Sequence, residues 1–173
     1  ELHHRVEIVP GMSLFMRCAG HILGAATVEI VADGTTLVCS GDLGRPNDPL
    51  MYAPELIEQT DYLLVESTYG DRKHPDEDPE AQLADVITRT ALRHGITLVP
   101  SFAVGRAQLL MYHLYRLMQK RAIPDLPIYL NSPMATDVTL LYQRFRSEHR
   151  LSLEECEGMC HVAQFVRTTK DSI

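Results

Sequence analysis

A chain of 173 residues, 45% hydrophobic and 23% charged, is long enough to bury about 70% of its unfolded surface, so core size does not limit its folding. Its net charge of −7 excludes a protein that coats nucleic acid by bulk charge, while leaving room for a local basic groove. No apolar run approaches the roughly 18 residues of a membrane span, and the polar start from Glu1 to Val9 has no apolar signal core, so no membrane partner and a cytoplasmic location are expected.

In chain order, residues 12–16 and 27–31 read as strands. A hairpin turn at Asp33 and Gly34 leads into a third strand over 36–39, giving an antiparallel run. Between the first two strands lies AGHILGAA, a loop of small residues around the single histidine His21. The third strand runs into SGDLGR, which holds the carboxylate of Asp42 in a glycine-rich loop. Pro46, Asn47, Pro49 and Pro54 mark a connector before a strand over 62–65, which ends in Glu66, Ser67, Thr68, Tyr69 and Gly70. Ligands of open α/β sheets sit beyond the carboxyl ends of strands. An acid there equally serves to cap the next segment or to accept backbone N–H groups.

Residues 71–78 read as a loop. Asp78 and Pro79 then supply an N-cap and a first-turn proline for a helix to about residue 94, with Leu83, Ile87 and Ala91 on one face and Gly95 as its stop. A different alternation follows: a strand over 96–99, a helix over 104–120, a strand over 128–130, a helix from 134 to about 147 and a strand near 162–166. That order predicts a parallel sheet with crossover helices. In the helix over 104–120, Val104, Ala107, Met111, Leu114 and Met118 fall on one stripe and read as core. Antiparallel β therefore gives way to α/β between residues 61 and 78.

Three strand-end loops present His21, Asp42 and Glu66. An imidazole and a carboxylate are suitable ligands for zinc, and ligands on separate loops converge when their strands share a sheet; a satisfied structural histidine is the competing reading. A second candidate is the stretch PSFAVGR, where Ser101, Arg106 and free N–H groups at a helix start offer contacts to phosphate. It lacks the GxxxxGK[ST] pattern of a nucleotide P-loop, and Ser101 as a simple N-cap is the alternative. The cysteines Cys18, Cys39, Cys156 and Cys160 form no CxxC pair and are expected to be free thiols. Cys160 and His161 are adjacent and no fourth ligand lies near Cys156, so no zinc site is expected there.

AGHILGAA, SGDLGR, VESTYG, PSFAVGRAQ and LNSPMA occur in the order seen in the β-CASP branch of the metallo-β-lactamase fold, which the chain resembles from about Gly11 onward. Those proteins are RNA-processing nucleases related to the endonuclease of pre-mRNA cleavage and polyadenylation. The resemblance implies an α/β fold: residues 1–66 as part of a metallo-β-lactamase αββα domain, and 67–173 as the first part of an inserted parallel-sheet β-CASP domain. It implies that His21 binds metal, that Asp42 bridges two zinc ions and that Glu66 is the catalytic-site acid, a glutamate as in the RNA-acting members. Ser101 and Arg106 match a stretch that borders the cleft and holds RNA phosphates.

The family's HxHxDH motif is absent, His3 and His4 do not provide it, and the two later histidine motifs have no convincing match in His161. The chain thus reads as an internal piece of a longer zinc-dependent ribonuclease acting on single-stranded RNA, inactive as a piece, with a homodimer as its expected assembly. The alternatives are a non-catalytic RNA- or partner-binding paralogue and a DNA-directed hydrolase of the same fold.

Overall fold

The computed structural model of the chain describes residues 2–73 and 78–166. Half of the loop expected over 71–78, residues 74–77, therefore lies outside the described residues. The chain divides into two units, Glu1–Lys73 with Ser147–Arg150, and His74–Arg146 with Leu151–Ile173.

The first unit is built on a five-stranded sheet of β1 (Val6–Val9), β2 (Met12–Cys18), β3 (Ala26–Ala32), β4 (Thr35–Cys39) and β5 (Tyr62–Leu64), in that spatial order. β1 to β4 pair antiparallel. Asp33 and Gly34 turn the β3–β4 hairpin with φ of 49° and 75°, the two positive values that a type I′ turn requires. β5, a strand whose direction the sequence left open, lies parallel to β4, with Val38 opposite Leu63. The connector from residue 40 to 61 makes that crossover without a helix. Its course is held by Asp48, whose Oδ1 accepts from the N–H groups of Leu50 and Met51 at 2.9 and 3.0 Å, and by the buried side chains of those two residues.

On one face of this sheet Glu29, almost fully buried, accepts from Arg5 at 2.6 Å and from Arg17 at 2.7 Å. The two guanidinium groups lie 5.5 and 4.6 Å from the centre of the Phe15 ring. The hydrogen bond from Arg5, opposed by burial and reinforced by Arg17, holds the Glu29 carboxyl below the usual carboxylate range. A buried charge needs such pairing, and here two cations from β2 and the N-terminal arm supply it.

The second unit contains α1 (Pro79–Leu92), α2 (Arg106–Gln119), β6 (Tyr129–Leu130), α3 (Pro133–Arg144), α4 (Leu153–His161) and β7 (Gln164–Phe165). β6 and β7 pair in parallel. α1 begins as its sequence predicts, with Asp78 accepting from the N–H groups of Glu80 and Ala81 at 2.9 and 3.4 Å and Pro79 in the first turn. Its end differs in detail: His94, not Gly95, takes the left-handed conformation with φ of 54°, and the Gly95 N–H donates to the Thr90 carbonyl at 3.0 Å. Ile87, Leu114, Leu117 and Ile123 form a core cluster flanked by Leu83, Leu110 and Met118. Burying an aliphatic side chain of this size stabilises by roughly 2 kcal/mol.

The expected strand over 96–99 is not formed among the described residues; Ile96 and Leu98 are 86% and 85% exposed. Apolar alternation supplies strand chemistry, but a strand exists only where a neighbour completes its hydrogen-bond ladder. α4 was not anticipated from the apolar pattern, and its start is written in Ser152 and Glu155. The Ser152 hydroxyl accepts from the Glu155 N–H at 3.2 Å while Glu155 accepts from the Ser152 N–H at 2.9 Å. Gly158 of this helix faces the Tyr115 ring of α2, where an added Cβ would collide with ring carbons.

Candidate active site

β2, β4 and β5 run in the same direction, so their carboxyl ends share one edge of the first sheet. This topology gathers the loop with His21 after β2, the loop with Asp42 after β4 and the loop with Glu66 after β5. Backbone contacts join them. The Gly44 N–H donates to the Ala19 carbonyl at 2.8 Å, the Ser40 N–H to the Leu64 carbonyl at 2.9 Å, and Ala19 N–H to Ala25 at 3.0 Å closes the His21 loop at its base. Gly20 and Gly44 make the approach possible, since a Cβ on Gly44 would overlap the Gly20 carbonyl, and one on Gly20, at φ of 67°, would strike the Tyr52 carbonyl.

Glu66 is the polar joint between its own loop and the Asp42 loop. Its N–H donates to the Ser40 hydroxyl at 3.0 Å, its Oε1 accepts from the Leu43 N–H at 3.3 Å and its Oε2 from the Thr68 N–H at 2.9 Å. The N–H and hydroxyl of Thr68, then the Leu43 N–H and the His21 ring nearby, hold the carboxyl below its ordinary range. Sequence reasoning left open whether this acid accepts backbone N–H groups or serves chemistry; it does accept them, and from the residue adjacent to Asp42. His21 and Asp42 are exposed. The imidazole and carboxylate fit zinc in kind, but among the described residues no three histidine, cysteine, aspartate or glutamate side chains group to hold a metal ion. The donor set present here is short of a complete site.

Two supports went unread in the sequence. The largely buried Ser40 bridges two loops, accepting from Glu66 and donating to the Gly41 carbonyl at 2.6 Å; its place between a strand and Gly41 was the available signal. Glu55 accepts from the Cys18 N–H at 2.9 Å and from His3 Nε2 at 2.7 Å, and so pins the end of β2 from which the His21 loop departs. Burial would raise the Glu55 carboxyl, but the His3 and Cys18 bonds outweigh it and hold it low.

Ser101 and Arg106 belong to the second unit, and both are exposed. Gly105, not Ser101, caps α2. The N–H groups of Arg106 and Ala107 donate to the carbonyls of Val104 and Phe102 at 3.0 and 3.1 Å, which corrects the expectation that they are free. The turn tightens on itself, with the exposed Ser101 hydroxyl donating to the Phe102 carbonyl at 3.4 Å. The unread residue here is Gln108, whose fully buried amide bonds to both this turn and α3. In α4 the Cys156 and Cys160 side chains are buried, and burial pushes the Cys160 thiol up to about 12, which keeps it protonated. Among the described residues no helix is long and apolar enough to cross a membrane.

Comparison with known proteins bears on both units. Residues 107–173 match the Beta-Casp domain. The chain is 41% identical over 134 residues to "Ribonuclease TTHA0252" of Thermus thermophilus, an alignment covering 77% of this chain and 31% of that protein. It is 35% identical over 150 residues to "Cleavage and polyadenylation specificity factor subunit 3-I" of Arabidopsis thaliana, covering 84% and 21%. To the "RNase J-like protein" of Methanocaldococcus jannaschii it is 34% identical over 130 residues, covering 72% and 31%. The chain thus spans between about a fifth and a third of the length of these relatives.

Proposed function

The chain belongs to the β-CASP branch of the metallo-β-lactamase superfamily, a family of RNA-processing nucleases, and from that premise we propose that the whole protein is a zinc-dependent phosphodiesterase that hydrolyses single-stranded RNA in the cytoplasm. The observation that supports this reading best is the meeting of three loops at one sheet edge, the Asp42 loop being bonded to Glu66 on one side and, through Gly44, to the base of the His21 loop on the other. In this reading residues 1–66 belong to the metallo-β-lactamase core and 67–173 to the inserted domain. His21 and Asp42 would hold the zinc ions at that edge. When bound, a pair of such ions supplies hydroxide at neutral pH and positive charge for the scissile phosphate.

Glu66 acts here as a positioning residue. With both oxygens engaged by N–H groups it fixes the Asp42 loop and stays ionised. Its pKa is lowered on folding, so the bonds it accepts are intact above the ordinary carboxylate range and fail as pH falls through the lowered value. Glu66→Gln retains one oxygen and leaves either Leu43 or Thr68 without its acceptor. A fall in kcat on the order of a hundredfold is expected, with bound zinc unchanged. Full kcat in that variant would remove Glu66 from the machinery.

Ser101 and Arg106 take RNA phosphates, local positive charge in a chain of net charge −7. The test is hydrolysis of matched RNA and DNA oligonucleotides by the full-length protein, with and without a chelator. RNA cleavage abolished by chelation is expected, with the 173-residue chain alone inactive because its donors fall short of a complete site. Preferential DNA cleavage, or cleavage that survives chelation, would overturn the proposal.

A further inference from the structure

The geometry points to Gln108 as the positioning residue that holds Arg106 in RNA-binding orientation; this rests on the reading of Arg106 as a phosphate contact. Gln108 lies in the first turn of α2 and is 0% exposed. A long polar side chain is disfavoured at such a place unless its amide is satisfied. Here it is. Oε1 accepts from the Gly105 N–H at 2.8 Å, while Nε2 lies 3.1 Å from the Ala103 carbonyl, 3.2 Å from the Ala135 carbonyl and 3.0 Å from Thr139 Oγ1. Thr139 spends its own proton on the Ala135 carbonyl at 2.7 Å, so its oxygen is available to accept. The reversed amide would set donor against donor at Gly105 and oxygen against oxygen at Ala103 and Ala135, so the network admits one orientation.

The consequence lies in what the amide joins. Ala103 and Gly105 flank Val104 in the turn that delivers Arg106, and Ala135 and Thr139 lie one turn apart in α3. α3 is fixed independently, by Ser132 accepting from the Ala135 N–H at 3.2 Å and by Pro133 in its first turn. Gln108 therefore references the turn to a second helix whose start is already set, and links PSFAVGRAQ to LNSPMA through one side chain. An apolar residue of similar length would fill the volume but leave the Gly105 N–H and two carbonyls without this partner. Arg106 follows Gly105 directly and is exposed. Freed from the amide, the turn would let its guanidinium sample orientations that RNA must then select against, weakening binding without touching the chemical step.

A double-mutant cycle on RNA hydrolysis by the full-length protein tests this. Gln108→Met and Arg106→Ala are each expected to raise KM about tenfold with kcat within about twofold, and the double variant to raise it no further, because both remove one oriented guanidinium. Independent, additive losses, about a hundredfold in the double variant, would overturn the inference, as would an equal fall in kcat. An unchanged KM in Gln108→Met beside a raised KM in Arg106→Ala would sink the inference and leave the RNA-contact reading standing. An unchanged KM in Arg106→Ala would remove that reading and the inference with it. Should Gln108→Met fail to fold, Thr139→Val takes its place in the cycle. It removes one acceptor from the amide and is expected to raise KM about threefold, with no further effect once Arg106 is gone.

Discussion

Asp42→Ala in the full-length protein is expected to lower RNA hydrolysis by at least about a thousandfold and to reduce bound zinc. Asp42 follows Gly41 in a loop whose backbone is held on both sides. Ser40 binds the Glu66 N–H, the Leu43 N–H reaches the Glu66 carboxylate, and the Gly44 N–H reaches Ala19. The carboxylate of Asp42 itself is exposed at that edge. A side chain so placed contributes little to packing, so its removal should leave the fold intact while removing the carboxylate proposed to hold the metal. Metal analysis beside single-turnover cleavage separates the effects. Wild-type turnover at wild-type zinc content would exclude that role.

Gly44→Ala is expected to have the second largest effect, through geometry alone. The added methyl would overlap the Gly20 carbonyl and crowd the His21 N–H at 2.7 Å, both backbone atoms that no side-chain rotation relieves. The Asp42 and His21 loops must move apart, breaking the bond from Gly44 to Ala19. A loss of about 2–3 kcal/mol in denaturant unfolding follows from overpacking of this kind. Activity should fall with it, because the two donors separate. Gly70→Ala is the control, since its added methyl makes only ordinary contacts with Ser67, the nearest at 3.4 Å, and a change within about 0.5 kcal/mol is expected. Equal stability of the two variants would show that the loops do not depend on this close approach.

Both expectations draw on residues that the sequence points out and on contacts that it does not. His21, Asp42 and Glu66 are legible because each stands at a strand end in a loop of small residues, and local composition determines where strands stop. Their meeting depends on β5 lying parallel to β4, which brings the Glu66 loop to the same edge as the other two. The pattern of residues 62–65 predicts a strand but carries no sign of its direction, because the alternation of apolar residues is the same for either pairing.

In the second unit the same division holds. Asp78, Pro79 and the apolar stripe specify α1 and α2 because capping and helical periodicity are local properties. Ser152 and Glu155 announce α4 in the same way, through a capping box rather than an apolar pattern. Residues 96–99 have the chemistry of a strand and are not paired, since pairing is a property of two segments. Gln108 lies outside the apolar stripe read for α2 and is nevertheless fully buried, linking the turn before α2 to α3, an outcome set by residues about thirty positions further along. The sequence by itself determined the secondary elements with local signals, the loops that present charge and the family those loops resemble. Tertiary structure alone decided strand direction, which polar groups are buried and which loops touch, because those depend on contacts between segments far apart in the chain.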